Sequence, residues 1–210
     1  MNKIYVFDLD GTLVDSMPYY GAVMLRTLDE EGITYGDDML NIITPLGYRK
    51  TAEYYVTLGA RSTADELVHT FQTRLLYEYQ HNIPPKECVP EFLRAHAAAG
   101  DRLFVLTASP HAATEAVLGH HGLVDLFEKI WSVEDFELSK SGTELFERVA
   151  ELIGCEPSEI NYFEDNPIAL GNAHAVGYRT YGVADDANIA KLDTVREHSD
   201  IYVNSFKELL

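Results

Sequence analysis

The chain has 210 residues, 46% of them hydrophobic and 24% charged, with a formal net charge of −18 at pH 7. That length allows one domain, or a core with a smaller insert, and the composition is ordinary for a soluble globular protein. The acidic balance and the lack of a basic stripe exclude a nucleic-acid partner. No apolar run approaches a membrane span, and no basic stretch followed by an apolar one opens the sequence, so neither a membrane nor a secretory route is expected. Cys88 and Cys155, the only cysteines, are widely separated and outside any CxxC pattern. They read as unpaired thiols in a cytoplasmic protein.

Lys3 to Phe7 is a short β-branched and aromatic run of the kind that forms a buried central strand. It runs straight into Asp8-Leu9-Asp10-Gly11-Thr12-Leu13-Val14-Asp15-Ser16. Two carboxylates two residues apart at a strand's carboxyl end repel unless a cation joins them, and hard oxygen ligands suit Mg²⁺. Ser16 suits a helix N-cap with Pro18 in the first turn, and the helix ends at Gly32. A turn-rich stretch from Asn41 to Lys50 leads to a second helix that stops at Gly59. Thr63 to Glu66 reads as a capping box opening a long helix with Leu67, Phe71, Leu75 and Tyr79 on one face. Pro84-Pro85 stops it.

Beyond the prolines, strands and helices alternate. Val89 to Ala99 reads as a helix closed by Gly100, and Arg102 to Leu106 as a strand ending in Thr107-Ala108-Ser109-Pro110. Ser109 and Pro110 suit the N-cap and first position of the next helix, whose N-terminus would attract a phosphate. Lys129 to Ser132 is a third strand. Lys140 precedes Ser141-Gly142-Thr143-Glu144, which reads as another capping box, leaving the lysine beside the positive end of a helix dipole. Ile160 to Phe163 is a fourth strand delivering Glu164-Asp165, with Asn166 and Pro167 starting a helix. Tyr178 to Val183 and Ile201 to Val203 complete a mostly parallel, doubly wound sheet.

The acids, Thr107, Lys140 and Glu164-Asp165 all fall at or after strand carboxyl ends, and a parallel sheet gathers those ends on one edge. Each has an ordinary reading alone: threonines end many strands, a lone lysine is a solvated surface group, and Glu164-Asp165 could be helix-terminal charge. In this order, however, they resemble the four motifs of haloacid dehalogenase-superfamily phosphotransferases. The resemblance implies a core over residues 1–15 and 86–210 and an all-helical cap over residues 16–85, inserted after the first strand. It implies Asp8 as nucleophile and Asp10 as general acid and base. Mg²⁺ would sit on Asp8, the Asp10 main-chain carbonyl and Asp165. Ala169 marks the adjacent Glu-Asp version of the fourth motif, with Glu164 in support. Leu9, Thr107, the amide of Ala108 and Lys140 would hold the phosphoryl oxygens.

The implied activity is hydrolysis of a small phosphorylated metabolite. A sugar phosphomutase of the β-phosphoglucomutase kind is the alternative, and a silent binding module the third reading. Arg49 and Lys50, on the stretch from Thr44 to Lys50, are candidate substrate contacts. His111, His120 and His121 lack metal-ligand spacing. The sequence specifies no oligomeric state.

Overall fold

Ile4–Phe7 (β1) has every side chain buried, as a strand covered on both faces must. In the computed structural model, which describes residues 2–210, it pairs in parallel with Arg102–Thr107 (β2) on one side and Ile160–Glu164 (β4) on the other. Lys129–Ser132 (β3) adds beyond β2, and Arg179–Val183 (β5) and Ile201–Val203 (β6) add beyond β4, giving the order β3-β2-β1-β4-β5-β6. Chain order reverses at β1, so the gap between β1 and β4 at their carboxyl ends is the topological switch point of an open α/β sheet.

Alternation along β1 assigns the two faces. Ile4 and Val6 join a cluster with Leu145, Phe146 and Val149 of Glu144–Ile153 (α7) and with Ala169 and Ala173 of Pro167–Val176 (α8). Tyr5 and Phe7 instead meet Phe92 of Val89–Ala98 (α5), with ring centroids 5.8 and 6.2 Å apart. Helices on both faces make the sheet doubly wound.

The chain divides into two compact units, residues 1–15 with 84–210, and residues 16–83. In the first, the two connecting segments pair with each other: the Asp15 amide donates to the Pro84 carbonyl at 3.0 Å, and the Lys86 amide to the Leu13 carbonyl at 3.0 Å. The second is all helical: Met17–Glu31 (α1), Met39–Ile43 (α2), a 3₁₀ turn over Thr44–Leu46, Gly47–Thr57 (α3) and Ala64–His81 (α4). Its core holds Met24, Leu28, Tyr55, Phe71 and Leu75. The Tyr55 hydroxyl donates to the Met24 carbonyl at 3.1 Å, and Arg74 ties α4 to Thr27 and Glu30 of α1.

Several local expectations change. The Asn41–Lys50 stretch is almost continuously helical, because Pro45 sits in the first turn of its 3₁₀ segment, where the missing N–H costs nothing. The Thr63 capping box is present, but none forms at Ser141. Thr143 is the N-cap there and has helical backbone angles (φ −77°, ψ −26°), not the extended ones a side-chain cap needs. Ser16 takes the N-cap position of α1 without a side-chain cap bond. Among the described residues no helix is long and apolar enough to cross a membrane.

Candidate active site

The loop after β1 is shaped by its own backbone. The Leu9 carbonyl accepts from the amides of Thr12, Leu13 and Val14 at 3.3, 2.8 and 3.0 Å, which curls the chain tightly. Gly11 sits at φ +78°, and a Cβ there would lie 2.6 Å from Asp165 Oδ2. Only glycine permits both the turn and the approach of that carboxylate.

Asp8, Glu164 and Asp165 are all buried, and each offers an oxygen within 4.8 Å of the others. Lys140 Nζ reaches in from the segment between β3 and α7, 2.5 Å from Asp8 Oδ1 and 2.9 Å from Glu164 Oε2. Helix α7 starts only at Glu144, so the ammonium is not pressed against its N-terminus as expected. It turns to the two carboxylates instead. Tyr162, two residues before Glu164 and so on the same strand face, donates its hydroxyl to Glu164 Oε2 at 2.6 Å. The amides of Asp165 and Asn166 hold Glu164 Oε1 at 3.2 and 3.0 Å.

Asp10 is directed elsewhere: its Oδ2 accepts from Ser109 Oγ at 2.5 Å. Ser109 is therefore not the helix cap. Pro110 takes that position for His111–His120 (α6). Thr107 is buried, and its Oγ1 accepts from the Ser109 amide at 3.0 Å. Leu9 is fully buried, and Ala108 is exposed. Arg49 lies on α3 in the helical unit and pairs with Asp65 of α4 at 2.6 Å; Lys50 beside it is exposed. His111 pairs with Asp135 at 2.8 Å.

Three carboxylates face one ammonium, so full ionisation leaves two negative charges without a counterpart. Two unit charges 4.8 Å apart repel by roughly 3.5 kcal/mol at an effective dielectric of about 20. Burial, then the neighbouring Glu164, pushes the Asp8 carboxyl up to about 8 against the opposing pull of Lys140. Asp165 is likewise held well above the ordinary carboxylate range, by burial and then by Glu164 and Asp8. Burial alone would lower the Lys140 pKa, but Asp8 and Glu164 outweigh it and raise it, so the lysine stays charged. Three clustered hard oxygens with excess negative charge fit a divalent cation. The cluster could hold one.

Four contacts were not anticipated from sequence: Ser109 on Asp10, Tyr162 on Glu164, and Thr12 and Asn188 on Asp165. Thr12 Oγ1 donates to Asp165 Oδ1 at 3.3 Å, and Asn188 Nδ2 to Oδ2 at 2.5 Å. The period of two along β4 could have pointed to Tyr162. Nothing local points to Asn188, which lies two dozen residues downstream in a short 3₁₀ turn.

The model of the haloacid dehalogenase-like hydrolase family matches residues 5–183. The validoxylamine A 7′-phosphate phosphatase of Streptomyces hygroscopicus subsp. limoneus is 25% identical over 186 residues, covering 87% of this chain and 86% of that protein. The phosphoglycolate phosphatase of Vibrio vulnificus (strain YJ016) is 26% identical over 222 residues, covering 99% and 94%. Among solved structures, CbbY from Rhodobacter sphaeroides in complex with phosphate superimposes with a TM-score of 0.79 at 17% identity, covering 100% of this chain and 96% of that one. That likeness is one of fold. Sheet order, the acidic cluster at the switch point and the family match agree: this chain is an enzyme of the haloacid dehalogenase-like hydrolase family.

Proposed function

We propose that the enzyme hydrolyses the phosphate monoester of a small metabolite, carrying the phosphoryl group on Asp8, with Mg²⁺ as its cation. The observation behind this reading is Lys140 bridging Asp8 and Glu164 at 2.5 and 2.9 Å beside Asp165, at the edge where such sheets bind ligands. Relatives named as phosphatases of validoxylamine A 7′-phosphate and phosphoglycolate support a small phosphorylated substrate.

In the first step an Asp8 oxygen bonds to phosphorus while the bond from phosphorus to the substrate oxygen breaks, and Asp10 gives that oxygen its proton. In the second, Asp10 takes a proton from water as the water oxygen attacks phosphorus and the Asp8–phosphorus bond breaks. Ser109 holds the Asp10 carboxyl through the hydroxyl bond described above. Lys140, Thr107 and the Ala108 amide hold the phosphoryl oxygens, which is positioning and charge stabilisation. Held by Asp8, Asp165 and the Asp10 carbonyl, with Glu164 in support, Mg²⁺ would neutralise charge on the transferring group. General acid catalysis contributes only about 10²–10⁴-fold, so the clamps must supply the larger share of the acceleration. Residues 16–85 act as the cap domain in this reading.

Phosphate release should be measured over sugar phosphates, phosphoglycolate and nucleotides with Mg²⁺, then with a chelator. Release from one or more small esters, lost with the chelator and restored by Mg²⁺, is expected. Release indifferent to the chelator, or none from any ester, contradicts the reading.

A further inference from the structure

Asp165 is gripped from outside its own strand. Its two oxygens accept from different elements: Oδ1 from Thr12 in the loop after β1, and Oδ2 from the side-chain amide of Asn188. Asn188 belongs to the 3₁₀ turn Asp186–Lys191, which follows β5. Two donors on two oxygens fix the plane of a carboxylate; one would leave it free to rotate.

The turn that carries Asn188 is itself built. Asp185 caps it, accepting from the Ala187 amide at 2.9 Å, and the Asn188 amide donates to the Asp185 carbonyl at 3.0 Å. The second Asp185 oxygen pairs with Lys86 Nζ at 2.8 Å, and the same ammonium donates to the Ala184 carbonyl at 2.6 Å. Both side chains are sheltered, Lys86 at 15% and Asp185 at 3% exposure, so the pair is far less screened than a surface one. The turn is thus held by its own backbone, by its cap and by Lys86. It does not need the Asn188 side chain, which leaves that amide free to serve Asp165.

The chemistry of the donor matters. A lysine or arginine in this place would neutralise Asp165 and compete with a cation for it. An amide orients the carboxylate and leaves its charge in place.

We infer that Asn188, braced by the Lys86–Asp185 pair, is a positioning residue that presents Asp165 to the divalent cation. This rests on the reading above, in which Asp165 is a cation ligand. Partners that orient a ligand in this way change affinity by roughly 10–100-fold when removed.

The test is calorimetric titration of the purified full chain with Mg²⁺ and with Mn²⁺, for wild type, Asn188→Ala and Lys86→Met, alongside melting curves in chelator. Asn188→Ala is expected to raise the dissociation constant about tenfold while melting in chelator within about 2 °C of wild type. Lys86→Met is expected to shift affinity in the same direction by less. Wild-type binding with an unchanged Asn188→Ala affinity overturns this inference and leaves the cation site standing. An Asn188→Ala protein that melts well below wild type in chelator assigns the residue a merely structural role, which also overturns it. No cation binding by wild type overturns both readings, and is told apart from the first failure by that control.

Discussion

The two units treat buried polarity in opposite ways. In the helical unit, hydroxyls meet backbone carbonyls: Thr27 Oγ1 donates to the Val23 carbonyl at 2.8 Å, and Tyr55 to that of Met24 at 3.1 Å. Its arginines pair with carboxylates on neighbouring helices, Arg74 with Glu30 and Arg49 with Asp65. The sheet unit gathers three buried carboxylates at one edge with a single ammonium among them. In the first, the buried side-chain atoms left without a partner among the described residues are neutral hydroxyls, those of Ser16 and Tyr20. The second stores repulsion that a cation would relieve, and burial of uncompensated charge marks functional sites more often than structural ones.

Substitutions should separate the two units. The largest effect falls on Asp8→Asn, an amide of nearly the same shape that cannot attack phosphorus. Phosphate release should drop by about 10⁴-fold or more, while the metal-free protein melts no lower than wild type, because the amide carries no charge for burial to penalise. Residual activity near wild type would remove Asp8 from the chemistry. Lys140→Met should come next. It leaves Asp8 and Glu164 buried without the ammonium that pairs with both, and losing one partner of a buried pair costs about 3–5 kcal/mol. Urea unfolding in chelator measures it, and a change below about 1 kcal/mol would mean the ammonium is not balancing the cluster.

The electrostatic difference also gives a pH dependence. The folded Asp8 pKa, about 8, lies above its ordinary value of 3.8, so the folded chain holds more protons than the unfolded one between those limits. The contribution of Asp8 to the stability of the metal-free protein should therefore be fullest below about pH 4 and fall as pH rises towards about 8. A bound cation replaces those protons, so the rise in Tm produced by Mg²⁺ should be larger at pH 8 than at pH 6. Equal shifts at both would break the link between cation and cluster. The smallest effect belongs to the helical unit. Tyr55→Phe removes one neutral hydrogen bond to a buried carbonyl, costing about 1–2 kcal/mol, and by the same amount with and without Mg²⁺.

How much of this is legible in the sequence follows from how local each signal is. β1 and the run Asp8–Ser16 declare themselves, because an apolar strand, two acids and a glycine at φ +78° are consecutive. The six strands are read within a residue of their ends, since each is a short run rich in β-branched and aromatic residues. The helical run over Asn41–Lys50 is hidden by Pro45 and Gly47, which signal turns, although proline is tolerated where a helical turn begins. At Ser109 and Ser141 the cap pattern misleads: a serine reads as a helix start until a distant partner, Asp10 for Ser109, claims its side chain. Asn188 is invisible for the same reason. Its partner lies 23 residues away, and only the adjacency of β4 and β5 brings the two together.

The most direct test follows the phosphoryl group. The enzyme turning over a substrate carrying radiolabelled phosphate is quenched in acid and digested, and its peptides are separated. Label is expected on the peptide containing Asp8, absent from Asp8→Asn and chased away by unlabelled substrate. Normal release of phosphate with no label on the protein at any quench time would contradict it, and would give water, not Asp8, the attack on phosphorus.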